Sequence, residues 1–159
     1  MDTLEKIQFL KSVPLLEGLT EEDIRRIAES AQEKAFPAGA AIFKENEEGD
    51  VLYIIARGSV RILKGTGKSL LLTILNEKDF FGEMVIFDRE KRSATVEAQT
   101  DVALLTLERE KFLLLLAAWP KIALTLLKTL SSRLREMHQE MVQVHSLADH
   151  YKKKLDEKK

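Results

Sequence analysis

At Lys34 the chain changes rhythm. Beyond it, short segments rich in Val, Ile, Leu and Phe are broken by Pro37, Gly39, Gly49-Asp50, Gly58, Gly65 and Gly67. Residues 51–63, 70–75, 94–98 and 102–107 read as the strongest strands. Turn signals at this spacing predict a small antiparallel barrel or jelly roll. Its one helical interruption is Phe81-Gly82-Glu83-Met84-Val85-Ile86-Phe87, a turn glycine, a carboxylate and an apolar turn that open a short helix at 83–87. Arg92-Ser93-Ala94-Thr95-Val96 follows five residues later.

Those two stretches carry the chemistry. A glycine allows close backbone approach, and the free N–H groups opening the short helix can point at an anion. Arg92 offers a planar fork of donors suited to phosphate oxygens. Glu83, acceptor-only when ionised, rejects phosphate but takes bonds from vicinal hydroxyls. Together they describe a pocket for a sugar bearing a singly charged phosphate. One arginine plus backbone dipoles suits a monoanion, whereas a triphosphate calls for a lysine and a metal.

Helices flank the strand region. Leu4, Ile7 and Leu10 share a face of a first helix ending near Pro14. A second begins at Thr20, where Asp23 three residues on resembles a capping box and Ile24 and Ile27 supply an apolar stripe. From Lys111 the chain is helical again, with Pro120 suited to a first turn after Trp119. Leu127, Leu130, Leu134, Met137, Met141, Val144, Ala148, Tyr151 and Leu155 then step by three and four, a heptad seam. A straight helix over 121–155 spans about 50 Å at roughly 1.5 Å per residue, so its distal half calls for a partner. A parallel homodimer is the simplest, with Leu130, Leu134, Met137, Met141 and Val144 as its contacts. The expected divisions are helices over 1–33, the β-region over 34–110 with the anion-binding stretch at 81–94, and helices over 111–159.

Other chemistries find little support. The net charge is −1, from 25 basic and 26 acidic residues, so no global field attracts nucleic acid. Tyr151-Lys152-Lys153-Lys154 reads as a solvated helix end, and DNA binding through it is the weakest reading. The absence of cysteine excludes disulfides and thiolate metal sites and fits a reducing compartment. No apolar run reaches about 18 residues, and Met1 leads into a charged amphipathic segment rather than a signal peptide. A cytoplasmic protein without membrane contact is the expectation. Lys64-Gly65-Thr66-Gly67-Lys68-Ser69 invites a phosphate-loop reading, but Ile62 stands where that motif needs glycine, and strand follows where it needs helix. It reads as a glycine-rich hairpin. His138, His145 and His150 form no i, i+4 metal pair. No nucleophile–base pair, metal cluster or cofactor loop emerges, so a sensor is expected and not an enzyme.

Gly82-Glu83, an apolar helical turn, then Arg92-Ser93-Ala94 with a β-branched residue after it resembles the phosphate-binding cassette of cyclic-nucleotide-binding domains, the family of the catabolite activator protein and the protein kinase A regulatory subunits. Phe36-Pro37-Ala38-Gly39 with Ile42-Phe43 resembles that family's first hairpin. Glu48-Gly49-Asp50, Leu52-Tyr53-Ile54-Ile55 and Gly58-Ser59-Val60 resemble its next turn and strands. Leu126-Leu127 and Leu130-Ser131-Ser132-Arg133-Leu134-Arg135 resemble the long helix that closes it. The similarity covers roughly residues 8 to 140.

The resemblance implies a double-stranded β-helix (jelly-roll) barrel with a long C-terminal dimerisation helix. It implies that Gly82, with the amides of Met84 and Val85, holds a cyclic phosphate, that Arg92 pairs with it, and that Ser93 and Ala94 complete the cradle. Glu83 takes the ribose 2′-hydroxyl. The ligand implied is cAMP, with cGMP open, and Met137 and His138 stand at the base, where capping it is secondary to the helix seam. Val85 departs from the small residue many members carry. A module that keeps the fold but has lost nucleotide is the alternative. Transcription factors of the family carry a helix-turn-helix after the long helix. None is seen before Lys159, which implies a regulatory fragment or action through a partner protein.

Overall fold

The computed structural model describes residues 1–65, 67 and 69–156, with side chains except those at 149, 151–153, 155 and 156. Two compact units are present, Met1–Ala123 and Leu124–Lys159.

The first unit opens with helix α1 (Thr3–Lys11), started by a capping box in which Asp2 accepts from the Glu5 amide and Glu5 reaches back to the Asp2 backbone. Ile7 and Leu10 are buried on its inner face, while Leu4 is 64% exposed and lies off the expected apolar stripe. A 3₁₀ turn at Pro14–Leu16 leads to α2 (Glu21–Ser30). Thr20 caps α2 by accepting from the Asp23 amide. The Asp23 carboxylate takes the Thr20 hydroxyl instead of the Thr20 amide, so the reciprocal half of a capping box does not form.

Eight strands follow in two four-stranded antiparallel sheets. One has the order β1 (Gln32–Phe36), β8 (Val102–Glu108), β3 (Val51–Arg57), β6 (Phe80–Phe81). The other runs β2 (Ala41–Phe43), β7 (Thr95–Ala98), β4 (Val60–Lys64), β5 (Leu70–Leu75). Tyr53, Ile55, Phe81 and Leu104 from the first sheet meet Val60, Leu75, Val96 and Ala98 from the second in one apolar core. Strand β3 is buried on both faces. Tyr53 and Ile55 point into this core, and the alternate residues Leu52 and Ile54 are fully buried on the other side. There helices α3 (Met84–Asp88) and α4 (Arg109–Ala118) pack against the sheet, α4 anchored by the fully buried Phe112.

Residues 51–63 are not one continuous strand. The chain leaves the first sheet at Arg57 and enters the second at Val60, turning the corner on Gly58 with φ of +85°. The corner is tied to the β7–β8 turn: the Gln99 amide donates to the Ser59 carbonyl at 2.9 Å and the Ser59 amide to Thr100 Oγ1 at 3.1 Å. Strands β4 and β5 pair from Val60–Leu75 to Lys64–Leu70, as expected of a hairpin. Trp119, preceding Pro120, leaves helical geometry at φ −132° and ψ 79°, and so separates α4 from α5 (Pro120–Asp156).

In the second unit α5 is unbroken. Leu134, Met137, Met141 and Val144 are 52%, 48%, 57% and 64% exposed, and Leu130 is half-buried. The seam positions Tyr151 and Leu155, and Lys152 and Lys153 of the basic tail, lie outside the described side chains. Among the described residues no single helix is long and apolar enough to cross a membrane.

The Gly58 corner yields a stability test. An alanine Cβ there would sit 2.4 Å from the Asp101 carbonyl oxygen in a left-handed backbone conformation. Gly58→Ala is expected to cost roughly 1–3 kcal/mol, read as a lower urea midpoint at unchanged slope. An unaltered midpoint would contradict the corner geometry.

Candidate functional site

Strand β6 ends at Phe81, and Gly82, at φ +79°, turns the chain so that Glu83 can serve as N-cap of α3. Ten residues on, the backbone of Arg92 is laced to the β2–β3 connection. Its amide donates to the Glu47 carbonyl at 2.8 Å, and its own carbonyl accepts from the Asn46 amide at 2.9 Å. These two bonds fix where the Arg92 side chain starts, and the strands decide where it ends.

The guanidinium is buried, with the residue only 4% exposed. Nη1 donates to the Gly82 carbonyl and Nη2 to the Val51 carbonyl, each at 3.1 Å. Its central carbon lies 4.2 Å from the Phe43 ring centroid and 5.7 Å from that of Tyr53. Nε is buried with no hydrogen-bond partner among the described residues. The two glycines of the site are explained by this side chain. A Cβ on Gly82 would stand 2.6 Å from Nη1, and one on Gly49 would stand 2.5 Å from Nη2 and 2.6 Å from Nε. Each glycine is therefore a wall of the slot the guanidinium occupies.

Burial pushes the Arg92 guanidinium below its ordinary value, opposed by Tyr53, Asp50, Glu83 and Glu47 around it. It still carries its charge at neutral pH. Burial likewise pushes the Tyr53 phenol up, against the pull of Arg92. The result is a desolvated cation whose Nε–H is unused, with a neighbouring buried carboxylate, since Glu83 is 7% exposed. A preorganised cation in such a setting attracts an anion more strongly than the same group in water.

Gly82, Glu83 and Arg92 thus come together as the sequence spacing suggested. Ser93 is exposed; its hydroxyl donates to the Met84 sulfur at 3.3 Å and its carbonyl accepts from Lys64 Nζ at 2.6 Å. Lys64 also pairs with Glu45 at 2.7 Å, and its hydrogen bond, with that from the Gly65 amide, holds the Glu45 carboxyl below its ordinary range. Val85 and Ala94 are buried at 2% and 7%, while Met84 is half exposed. Met137 and His138 lie exposed on α5 in the second unit. Among the described residues no cluster of His, Asp or Glu could hold a metal ion.

The sequence reading missed Phe43, Gly49, Asp50 and Tyr53 as members of the site. Gly49-Asp50 carried a turn signal and Phe43 a hairpin signal, but nothing local marks a residue that meets Arg92 from 39 to 49 positions away. A cleft of about 650 Å³ beside the cassette is lined by Glu48, Gly49, Asp50, Val85, Arg89, Glu90, Lys91 and Arg109. Arg109, the first residue of α4, ties that side down: its Nε donates to the Ile86 carbonyl and its amide to the Asp50 carbonyl, at 2.7 and 2.8 Å.

The chain belongs to the cyclic nucleotide-binding domain family, whose profile matches residues 33–118. It is 35% identical over 134 residues to the cyclic AMP receptor protein of Thermus thermophilus, covering 83% of this chain and 62% of that protein. This chain therefore spans less than two thirds of that relative. Among solved structures it resembles the regulatory domain of Toxoplasma gondii PKA with cAMP, at a TM-score of 0.73 and 29% identity, covering 82% of this chain and 50% of that one. The regulatory subunit of a cAMP-independent protein kinase A from Trypanosoma brucei is equally similar: TM-score 0.72 and 29% identity, with coverage of 82% and 46%.

Gly49 adopts an ordinary backbone conformation, so Gly49→Ala acts only through the guanidinium it meets. Losing the Val51 and Gly82 hydrogen bonds is expected to cost roughly 1–3 kcal/mol in chemical denaturation. In an Arg92→Ala background the same change should cost almost nothing. Additive effects of the two substitutions would show that Gly49 and Arg92 are not in contact.

Proposed function

We propose that this chain is a cyclic-nucleotide-binding regulatory domain and that its ligand is cAMP. The observation that carries the reading is Arg92, a desolvated guanidinium with an unpartnered Nε, walled by Gly82 and Gly49 and within electrostatic reach of the buried Glu83. In this reading Arg92 takes the cyclic phosphate, aided by Gly82, by the Met84 and Val85 amides and by Ser93 and Ala94. Glu83 accepts the ribose 2′-hydroxyl. Burial of the Val85 side chain supports packing beneath the cradle instead of obstruction of it. cGMP is the competing ligand.

The chain carries out no chemistry on the nucleotide in this reading; it reports it. Bound phosphate draws on Arg92 and the cassette, and the Arg109–Ile86 hydrogen bond gives the cassette a direct link to the start of α4. A ligand shifts such an equilibrium only by its differential affinity for the two states. Leu130, Leu134, Met137, Met141 and Val144 of α5 would pair two copies, and the exposed apolar surface of the last four supports this. The output then passes to an effector protein or to a further domain.

One observation favours the second reading, an interaction module without nucleotide. Two of the guanidinium's donors are already taken by backbone carbonyls, an arrangement that is stable without a ligand.

Isothermal titration with cAMP and cGMP distinguishes them. Micromolar or tighter binding to cAMP is expected, with Arg92→Leu weakening it by roughly 2–5 kcal/mol. Wild-type affinity in that variant sinks the site assignment, and no heat with either nucleotide supports the ligand-free module. Analytical ultracentrifugation should show a dimer that Leu134→Asp with Met141→Asp converts to monomer; an unchanged species would place self-association elsewhere.

A further inference from the structure

We propose that Phe43 is a positioning residue for Arg92, holding the guanidinium flat so that its free edge is presented to an anion; this rests on the nucleotide reading above. A guanidinium fixed only by Gly82 and Val51 has two hydrogen bonds from its Nη atoms and remains free to rock about the line joining them. The third constraint is a face. The Phe43 ring lies under the central carbon at 4.2 Å, within the range where an aromatic ring attracts a cation. Desolvation strengthens that attraction, and Arg92 is almost wholly buried.

Phe43 is itself held. Its ring packs on Tyr53 and Phe81 at centroid distances of 5.7 and 5.9 Å, and those two stack on each other at 5.0 Å with planes 4° apart. Tyr53 and Phe81 are register partners across β3 and β6, so the pedestal is built on paired strands and not on a loop. The register shift in β2 between Ala41 and Phe43 sets Phe43 opposite Val96, four residues beyond Arg92. The chain of support therefore runs from paired strands through stacked rings and Phe43 to the guanidinium. An aliphatic side chain at position 43 would fill much of the same volume while offering no π face.

The test compares Phe43→Leu with Phe43→Tyr. Phe43→Leu is expected to weaken cAMP binding by about 5- to 30-fold, the span that cation–π attraction supports, while Phe43→Tyr stays within about twofold of wild type. A general packing defect would not be rescued by tyrosine. Independently of any nucleotide, the Arg92 Nε–H proton of the ligand-free protein should resonate upfield through the ring current of Phe43, and move downfield in Phe43→Leu. Equal affinity of the leucine variant, or an Arg92 Nε–H signal without ring-current shift in the wild-type protein, overturns the proposal. If wild-type protein takes no nucleotide, the parent reading fails, and the proposed presentation of Arg92 to nucleotide fails with it. The ligand-free spectrum then still decides whether Phe43 holds the guanidinium. Should Phe43→Leu not fold, the wild-type and Phe43→Tyr spectra decide it.

Discussion

A guanidinium withdrawn from water is costly unless its N–H groups find acceptors, and Arg92 meets that requirement with backbone carbonyls of two separate strand ends. Because the acceptors are main-chain atoms at Val51 and Gly82, the arginine can be buried only if the turn after β6 and the start of β3 are in register. Its charge is thus both the chemical asset of the site and a constraint on the fold around it. The glycines at 49 and 82 follow from the same side chain, since a Cβ at either would occupy space that the guanidinium fills.

A single buried cation is here positioned by parts of the chain that lie far apart in sequence. The cassette supplies the arginine, the β2–β3 connection fixes its backbone, and the paired aromatics beneath it fix its plane. None of these elements is a site alone. A helix of five residues such as α3 has little stability of its own, and it is held because Val85 and Ile86 are buried and because Arg109 grips the Ile86 carbonyl. The same contact joins the cassette to the start of α4.

Much of this was legible from residue types. The spacing of Gly82, Glu83 and Arg92 places a turn glycine, a carboxylate and a guanidinium close together, and the structure brings these three together. The strand–turn rhythm announces a two-sheet β fold, and the stepping of Leu134, Met137, Met141 and Val144 announces a long helix. Other features lay beyond it for physical reasons. Leu4 fits the helical period but not the packed face, since a period cannot say how wide the buried stripe is. The corner at Gly58 looked like an interruption within a strand, because a crossing between sheets keeps both flanking segments apolar. Phe43 and Gly49 were invisible as site residues, for what defines them is contact with Arg92, a tertiary fact with no local signature.

Everything functional in this account depends on Arg92 receiving the phosphate. The most direct measurement is a crystal structure of the protein grown with cAMP. The expected result is a phosphate oxygen within hydrogen-bond distance of the Arg92 guanidinium and the ribose 2′-hydroxyl on the Glu83 carboxylate, with the Phe43 ring still beneath the arginine. Nucleotide bound elsewhere, with Arg92 still bonded only to the Gly82 and Val51 carbonyls, would contradict it and leave Arg92 a structural cation.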